Sequence, residues 1–408
     1  MDYQTGGRSS INPVRASGDS SGIIKVVQLG CGVTGLVCAE LLEKSPKVTE
    51  LVLADSRLDA PKAMAARVKS DKISVVKADA TNTADLKKLM KGTDLLIGSL
   101  PYVISKKVLD TCAATGTNYE EFSLCVENME AFDEADKMCR KAGITALTAV
   151  GEDPGISDCF AVSGASKLDE PMEAHVLDGD SGTAEGYDFF SLWSPVGMLE
   201  ETTVPAAVFK DGKITFVPPL HEKEIYEFPQ PLGALPVYKT SHEETYLMPR
   251  FIKGLRYADF RIAIDDNFAH TMNWLRKLGM HSLKPINVKG VQVAPLDVVI
   301  ATMPQPVDLI GKVKGYAAIV VEIIGLKNGK KTMVKTWTMM SHEQAYEICK
   351  SHATGYLVGV GGAIAAELFL EGEVKQKGFV VPEQMPADKF IGKLPSKHLE
   401  VKQEIKQL

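Results

Sequence analysis

The sequence carries no surplus of positive charge. Its 46 lysines and arginines are outnumbered by 52 aspartates and glutamates, for a formal charge of -6. No field is left over to neutralise a phosphate backbone, which argues against nucleic acid as a partner. Paired cysteines are missing as well. The seven that exist, an odd number, are scattered from Cys31 to Cys349 without a CxxC spacing. Neither a disulfide framework nor a zinc site is expected, and a reducing compartment fits best. Nor is there a long apolar run: the longest, TGYLVGVGGAIAA at 354–366, falls short of the roughly 20 residues that cross a bilayer. The opening residues 1–22, rich in Ser, Gly and Asp, hold no apolar block of the kind a secretory signal needs and read as a disordered lead-in. A soluble, cytoplasmic chain without membrane contact is the expectation. No internal repeat is found.

At 408 residues, 45% hydrophobic and 24% charged, the chain suits two compact domains with a sizeable core. From Ile24 to Val150, apolar runs (IKVVQL, ELVLAD, ISVVKAD, DLLIGSL, TNYEEF and ITALTAV) alternate with amphipathic helical patterns. That alternation predicts an α/β domain over 23–151, a doubly wound Rossmann arrangement around a buried parallel sheet. After Gly151 the pattern changes. Period-two runs such as RIAI and AAIVVEII, turns at KDGK and KNGK, and prolines between Val204 and Pro249 predict a mixed α+β domain over 152–350 containing an antiparallel sheet. A helical pattern of small residues at about 351–372 is suited to packing closely against the first domain. Residues 373–408 follow as a C-terminal segment, with LPSKHLEVKQEIKQL expected to be an exposed tail.

Gly30, Gly32 and Gly35 spell GxGxxG between the first strand and the first helix, the context in which this motif points to a dinucleotide. Gly30 allows the tight turn, Gly32 lets the backbone approach a pyrophosphate, and Gly35 lets helix and strand pack closely. The helix N-terminus offers its N–H groups to the anion. Cys31, Val33 and Thr34 complete the turn, Cys31 as a backbone donor with no redox role. Asp55, closing ELVLAD, is placed to accept from both ribose hydroxyls of the adenosine half and to repel a 2′-phosphate, which favours NAD; Arg57, two residues on, leaves NADP possible. Later strand ends offer Asp79 and Ala80 to adenine, and Ser99, Leu100 and Pro101 to nicotinamide. A glycine-tolerant turn without a ligand is the alternative.

The stretches SLPY at 99–102, GEDPGISD at 151–158, FFSLWSPVGMLEE at 189–201 and YKTSHEETYLMPRF at 238–251, in this order and spacing, resemble the saccharopine dehydrogenase-like family over roughly residues 24–393. VAPLDVVIATMPQPVDLIGK and GFVVPEQM look most like its lysine 6-dehydrogenase branch, whereas SLPY and EDPGI look more like the glutamate-forming saccharopine reductases. The resemblance implies a Rossmann domain, a substrate domain inserted before a returning helix, oxidation of a carbon–nitrogen bond in an amino acid, and a homo-oligomer, a dimer or tetramer. It also implies an acid–base role for Asp153, the Asp of DPG. A cysteine regarded as catalytic in the reductases falls near Asp178 here, so no thiol role carries over.

Oxidising an amine to an imine requires a neutral nitrogen, a hydride path to the nicotinamide, and water to attack the imine. Four groups of residues can serve it. Glu152 and Asp153 follow the strand ITALTAV and can hold the amine or move its proton; alternatively Asp153 only caps the helix starting near Ile156. Tyr102 borders the nicotinamide pocket or is an ordinary half-buried aromatic. Trp193 and Ser194 form a pocket wall or merely pack. In TSHEETYLMPR, Arg250 offers a fork for a carboxylate, His242 exchanges protons near neutral pH, and Glu243 with Glu244 faces a distal ammonium; the alternative is a solvated loop with a few ion pairs. HEETY is not the zinc signature HExxH, and no metal is expected.

Three readings follow. The first is an NAD-dependent dehydrogenase that removes hydride from the carbon bearing a side-chain amine and releases ammonia. The second is a saccharopine-type or opine-type reductase that joins an amino acid to an aldehyde or keto acid. The third is a protein that senses the dinucleotide without chemistry.

Overall fold

A computed structural model describes Gly22, residues 24–126 and residues 128–408. The expected lead-in, Gly22 apart, lies outside the described residues.

The first half alternates as the sequence predicts: β1 Lys25–Leu29, α1 Val33–Glu43, β2 Glu50–Asp55, α2 Asp59–Val68, β3 Ile73–Lys77, α3 Thr83–Met90, β4 Leu95–Gly98, α4 Tyr102–Thr115, β5 Asn118–Glu121, α5 Met129–Ala142 and β6 Thr145–Leu147. All six strands pair in parallel in the order β3-β2-β1-β4-β5-β6, the doubly wound arrangement whose chain reversal leaves a crevice beyond the strands' C-terminal ends. The β2 and β4 interiors are continuously apolar and buried, and β1 is buried with Gln28 as its one polar interior residue, because helices cover both faces.

After α6 (Ile156–Ala165) the second region is built on a long central strand, β7 (Glu170–Asp180), followed by β8 Thr183–Ala184, α7 Pro195–Thr203, β9 Ala206–Lys210, β10 Lys213–Val217, β11 Glu224–Phe228, β12 Gly233–Lys239, α8 Glu244–Phe251, β13 Tyr257–Ala263 and α9 Asp266–Lys277. A hairpin β14 Ile286–Val288 and β15 Val291–Val293, α10 Pro295–Thr302, β16 Val313–Lys314, and the long hairpin β17 Tyr316–Lys327 with β18 Lys330–Ser341 complete it. β17 pairs antiparallel with β7 and β18, but β13 lies parallel to β7, so the nine-stranded sheet is mixed. The parity matters for function. Val176 and Asp178 face the same side as their β13 register partners Phe260 and Ile262, and Asp180, two residues further along β7, shares that side.

α11 (His342–Cys349) then leads into α12 (Ala353–Leu370), which packs on α1 of the first region. A Cβ at Gly359 would stand 2.6 Å from Val37, so the crossing needs a bare backbone. By length and composition α12 could cross a membrane, yet 83% of it is buried inside the protein; it is a core helix. The chain next adds β19 (Gly378–Val380) beside β6 as a seventh parallel strand of the first sheet, then α13 (Ala387–Lys393).

The expected exposed tail proves to be paired to the sheet. β20 (Lys402–Gln407) pairs antiparallel with β18 at the edge of the mixed sheet. All six of its side chains are exposed, so no apolar alternation marks it in sequence. Main-chain bonds, helped by Gln403 Nε2 donating to Thr336 Oγ1 at 2.8 Å, hold it.

Candidate active site

The glycine turn has the shape its sequence demands. Gly30 has φ +89°, and a Cβ there would fall 2.2 Å from the Ser99 carbonyl oxygen. At Gly35 it would fall 2.2 Å from the Gly30 oxygen. At Gly32 it would meet nothing within 4 Å: that position is open, and α1 begins there without a side-chain cap. An open approach to uncapped N–H groups fits a pyrophosphate. Cys31 is spoken for, since its N–H donates to Asp55 Oδ2 at 2.7 Å, while Asp55 Oδ1 accepts from the Arg57 N–H at 2.8 Å. Asp55 is thereby fixed at the end of β2 with lone pairs left for ribose hydroxyls. Thr34 and Ser99 share a hydroxyl contact of 2.8 Å, joining the first turn to the SLP turn after β4.

The second half of the site is acidic. Asp153 follows β6, Asp178 lies on β7, Glu201 on α7, and His242 with Glu243 and Glu244 at the start of α8. Asp153 does not cap α6. Gly155 is the N-cap, and its N–H donates to Asp158 Oδ2 at 2.7 Å, so the capping alternative belongs to Asp158. His242 stacks on Phe260 with ring centroids 3.9 Å apart at 11°. Its Nδ1 bonds closely to Glu244 Oε2 and lies 3.5 Å from Glu243, leaving Nε2 without a hydrogen-bond partner among the described residues. Glu244 is buried and receives the Ser157 hydroxyl at 2.9 Å, so the imidazole is held by a carboxylate that is itself held.

The electrostatics follow from crowding. Burial, then the negative charge of Asp178, pushes the Asp153 carboxyl well above the usual range. Burial and Asp153 do the same to Glu152. Asp178 is pushed to about 8 by burial and by Asp180, and Glu201 to about 7 by burial, with Glu243 and Glu244 adding to it and His242 opposing. Burial works against a charged His242, but Glu244 and Glu243 outweigh it and raise its pKa well above that of a free imidazole. Each of these carboxyl groups is raised in part by its neighbours' negative charge, so a cation placed among them favours their ionised forms.

Asp180 links the two halves. It accepts from Thr354 Oγ1 at 3.2 Å and from His342 Nε2 at 3.3 Å. The Ala353 N–H donates to His342 Nδ1 at 3.1 Å, so Nε2 must carry the hydrogen. The N-terminus of α12 abuts the glycine turn, where a Cβ at Gly355 would lie 2.5 Å from Val33. His352 caps that helix through Nδ1 (3.0 Å from the Gly355 nitrogen) and stays neutral, its pKa lowered to about 4 by burial and by His342.

Two family descriptions match the two halves in turn. "Saccharopine dehydrogenase NADP binding domain" covers residues 26–147, and "Saccharopine dehydrogenase C-terminal domain" covers residues 151–399. The chain belongs to the saccharopine dehydrogenase family. As a member it is a nicotinamide-dinucleotide-dependent dehydrogenase acting on carbon–nitrogen bonds. Among its relatives, carboxyaminopropylagmatine dehydrogenase of Synechocystis is 27% identical, covering 91% of this chain and 95% of the relative. Carboxynorspermidine synthase of Vibrio cholerae is 28% identical over the same shares, 91% and 95%. The structure of apo saccharopine dehydrogenase (L-Glu forming) from Saccharomyces cerevisiae superposes with a TM-score of 0.68 at 19% identity, covering 93% of this chain and 100% of that one, which shows the shared fold.

In this saccharopine dehydrogenase-family chain the expected site residues divide. Gly30 to Gly35, Asp55, Arg57 and Ser99 to Pro101 gather at the first crevice. Asp79 is exposed beyond β3 and binds Thr81 at 2.8 and 2.7 Å, with Ala80 beside it. Tyr102 is 43% exposed on the first turn of α4. Glu152, Asp153, His242, Glu243 and Glu244 converge. Ser194 is the N-cap of α7, accepting from the Gly197 N–H at 3.4 Å, and Trp193 walls a neighbouring cavity. Arg250 is a correction. Its guanidinium pairs with Asp133 of α5 and lies 4.9 Å over the Phe132 ring. Six residues of helix past Glu244 is about 1.7 turns, which swings it from the pocket to the nucleotide-binding region. Sequence reasoning missed Asp180 and Glu201 and gave Asp178 no role. The period-two parity of HVLDGDSG was the available signal for the two aspartates.

Proposed function

We propose that the chain is a reductase that joins an amine to a carbonyl compound bearing a carboxylate, using a reduced nicotinamide dinucleotide, and that runs the oxidative cleavage in reverse. The observation that carries this is the pocket of Asp153, Asp178 and Glu201 around His242, with Arg250 turned away: it suits a cation, the protonated amine. The relatives support it, since their names describe amine chains carrying a carboxyl group. Of the three readings this is the second, with an amine in place of the amino acid as nucleophile.

When bound, the dinucleotide supplies the hydride. The protein's part is proton handling. An arriving ammonium must lose a proton before its nitrogen can attack the carbonyl carbon, and ionised Asp178 or Glu201 accepts it. As the carbinolamine loses water, the departing oxygen takes a proton from His242 Nε2 or from the Asp153 carboxyl. The iminium so formed, flanked by carboxylates, is stabilised until hydride reaches its carbon and leaves a secondary amine. Glu244, steadied by Ser157, keeps His242 oriented throughout. We propose NAD as the dinucleotide, because the fixed Asp55 carboxylate repels a 2′-phosphate.

The test is to follow oxidation of the reduced cofactor by the purified protein with pairs drawn from a panel of amines and carbonyl acids. Turnover must require both partners. Cofactor reduction by a single amine with ammonia release would instead establish the deaminating reading, and binding without any turnover would establish the sensing one.

A further inference from the structure

Beyond Asp180 lies a cavity of about 320 Å³ that takes no part in the proton steps above. It opens between the end of β7, the start of α9 and the loop before α7. We propose that it is the subsite for the distal ammonium of an extended amine, so that the substrate of the reductive reaction is a linear diamine or polyamine; this rests on the reductase reading.

The walls carry the argument first. Phe190, Trp193 and Phe268 line the cavity, and Phe268 is stacked on Phe189 with centroids 4.9 Å apart at 23°. Aromatic faces accept methylene groups and cations alike. Three carboxylates line it as well, Asp180, Asp188 and Asp265, while no lysine or arginine does among the described residues. A distal carboxylate, as on a free amino acid, would find no cation there. Asp180 is already committed to Thr354 and His342. Asp188 is exposed and has no partner among the described residues. Asp265 uses one oxygen to cap α9, accepting from the Phe268 N–H at 2.9 Å, and keeps the other. Those two are the carboxylates available to a ligand.

Continuity with the reaction centre is the second argument. Asp178 and Asp180 project from one face of β7, two residues or about 6.6 Å apart, a distance that a short alkyl spacer bridges. On the other wall, Trp193 Cδ1 and Glu201 Oε1 lie 3.6 and 3.7 Å from the position of a Cβ at Gly197, so α7 and the loop leading into it present together the cavity's aromatic wall and a carboxylate of the catalytic pocket. An amine whose reacting nitrogen sits at Asp178 and Glu201 has its far end directed into the cavity.

The experiment compares putrescine with butylamine, equal in chain length but different in distal charge, by titration calorimetry on the intact protein with reduced cofactor. Wild type should bind putrescine roughly tenfold more tightly, the worth of one or two partly exposed charge pairs. The double variant Asp188→Asn with Asp265→Asn, in which Asn still caps α9, should lose that advantage and leave butylamine binding unchanged; its KM for putrescine should rise with kcat retained. Equal affinity for the two amines in wild type, or an advantage surviving in the variant, overturns the subsite. Preferential putrescine binding without turnover with any carbonyl acid leaves the subsite standing and overturns the reductase reading. Turnover of both amines at equal KM does the opposite.

Discussion

The two crevices of this protein gather their polar groups in opposite ways. The nucleotide crevice meets an anion with main-chain N–H groups and empty space, and its single conspicuous side chain, Asp55, is tied down by backbone donors. The acidic pocket, which the proposed reaction assigns to a cation, is built of side chains alone, gathered from the turn after β6, β7, α7 and the start of α8. A backbone site is encoded locally, in six consecutive residues. A side-chain site is encoded by the sheet register that brings distant residues to one face.

The largest expected effect falls on the acidic side. His242→Asn and Asp153→Asn should each lower turnover by about 10²–10⁴-fold, the usual worth of a positioned proton donor, with cofactor binding intact by fluorescence titration. Loss of cofactor affinity instead would erase the division of labour between the crevices. On the nucleotide side, glycine substitutions separate folding from binding. Gly30→Ala combines a positive φ with an overlap on Ser99 and should lower stability by more than about 1 kcal/mol in chemical denaturation. Gly32→Ala, which meets nothing in the protein, should cost less than about 1 kcal/mol and yet weaken cofactor binding by tenfold or more, on the order of 1.4 kcal/mol. If Gly32→Ala binds cofactor normally, the open cradle is not where the pyrophosphate lies.

Asp55→Ser should shift the ratio of kcat/KM for NADH over NADPH toward NADPH by roughly tenfold, measured by initial rates. A smaller signature is in pH. Asp178 and Glu201 titrate at about 8 and 7 in the folded protein against about 4 in an unfolded chain. Between those values the native state keeps protons that the unfolded chain has released, so stability falls as pH rises through the window. His242, whose pKa is also raised, adds to the same trend above its unfolded value. Asp178→Asn should flatten the slope of denaturation free energy against pH by about 1 kcal/mol per unit or less; an unchanged slope would mean that water reaches the carboxyl group freely. Smallest of all, deleting the residues from Lys402 onward, a strand exposed along its whole length, should cost stability but leave both crevices' affinities within twofold.

The difference between the crevices also explains what was legible in the sequence. GxGxxG, its flanking strand and helix, and Asp55 are close together along the chain, so spacing alone placed them. The six parallel strands were readable because mostly apolar runs alternate with helical patterns, although β5 carries the buried Glu120 and Glu121. Glu152, Asp153 and the 242–244 trio stood out as charged groups at element ends. Asp180 and Glu201 did not, because only the pairing of β7 with its neighbouring strands and the packing of α7 bring them in. Arg250 misled because nearness along a helix is not nearness in space. β19 and β20 escaped notice for opposite reasons, one too short to show a period and the other without a buried face.

The seventh strand of the nucleotide-binding sheet has a consequence for how the protein is made. β6 ends at Leu147, but its neighbour β19 begins only at Gly378, and α12, which covers α1, ends at Leu370. A ribosome adding about 5–20 residues per second therefore holds an unfinished first domain in the open for tens of seconds while the whole second region emerges. The edge of β6 and the apolar flank of α1 are bare during that time. The whole second region separates β6 from β19, so the first sheet is complete only after that region has been made.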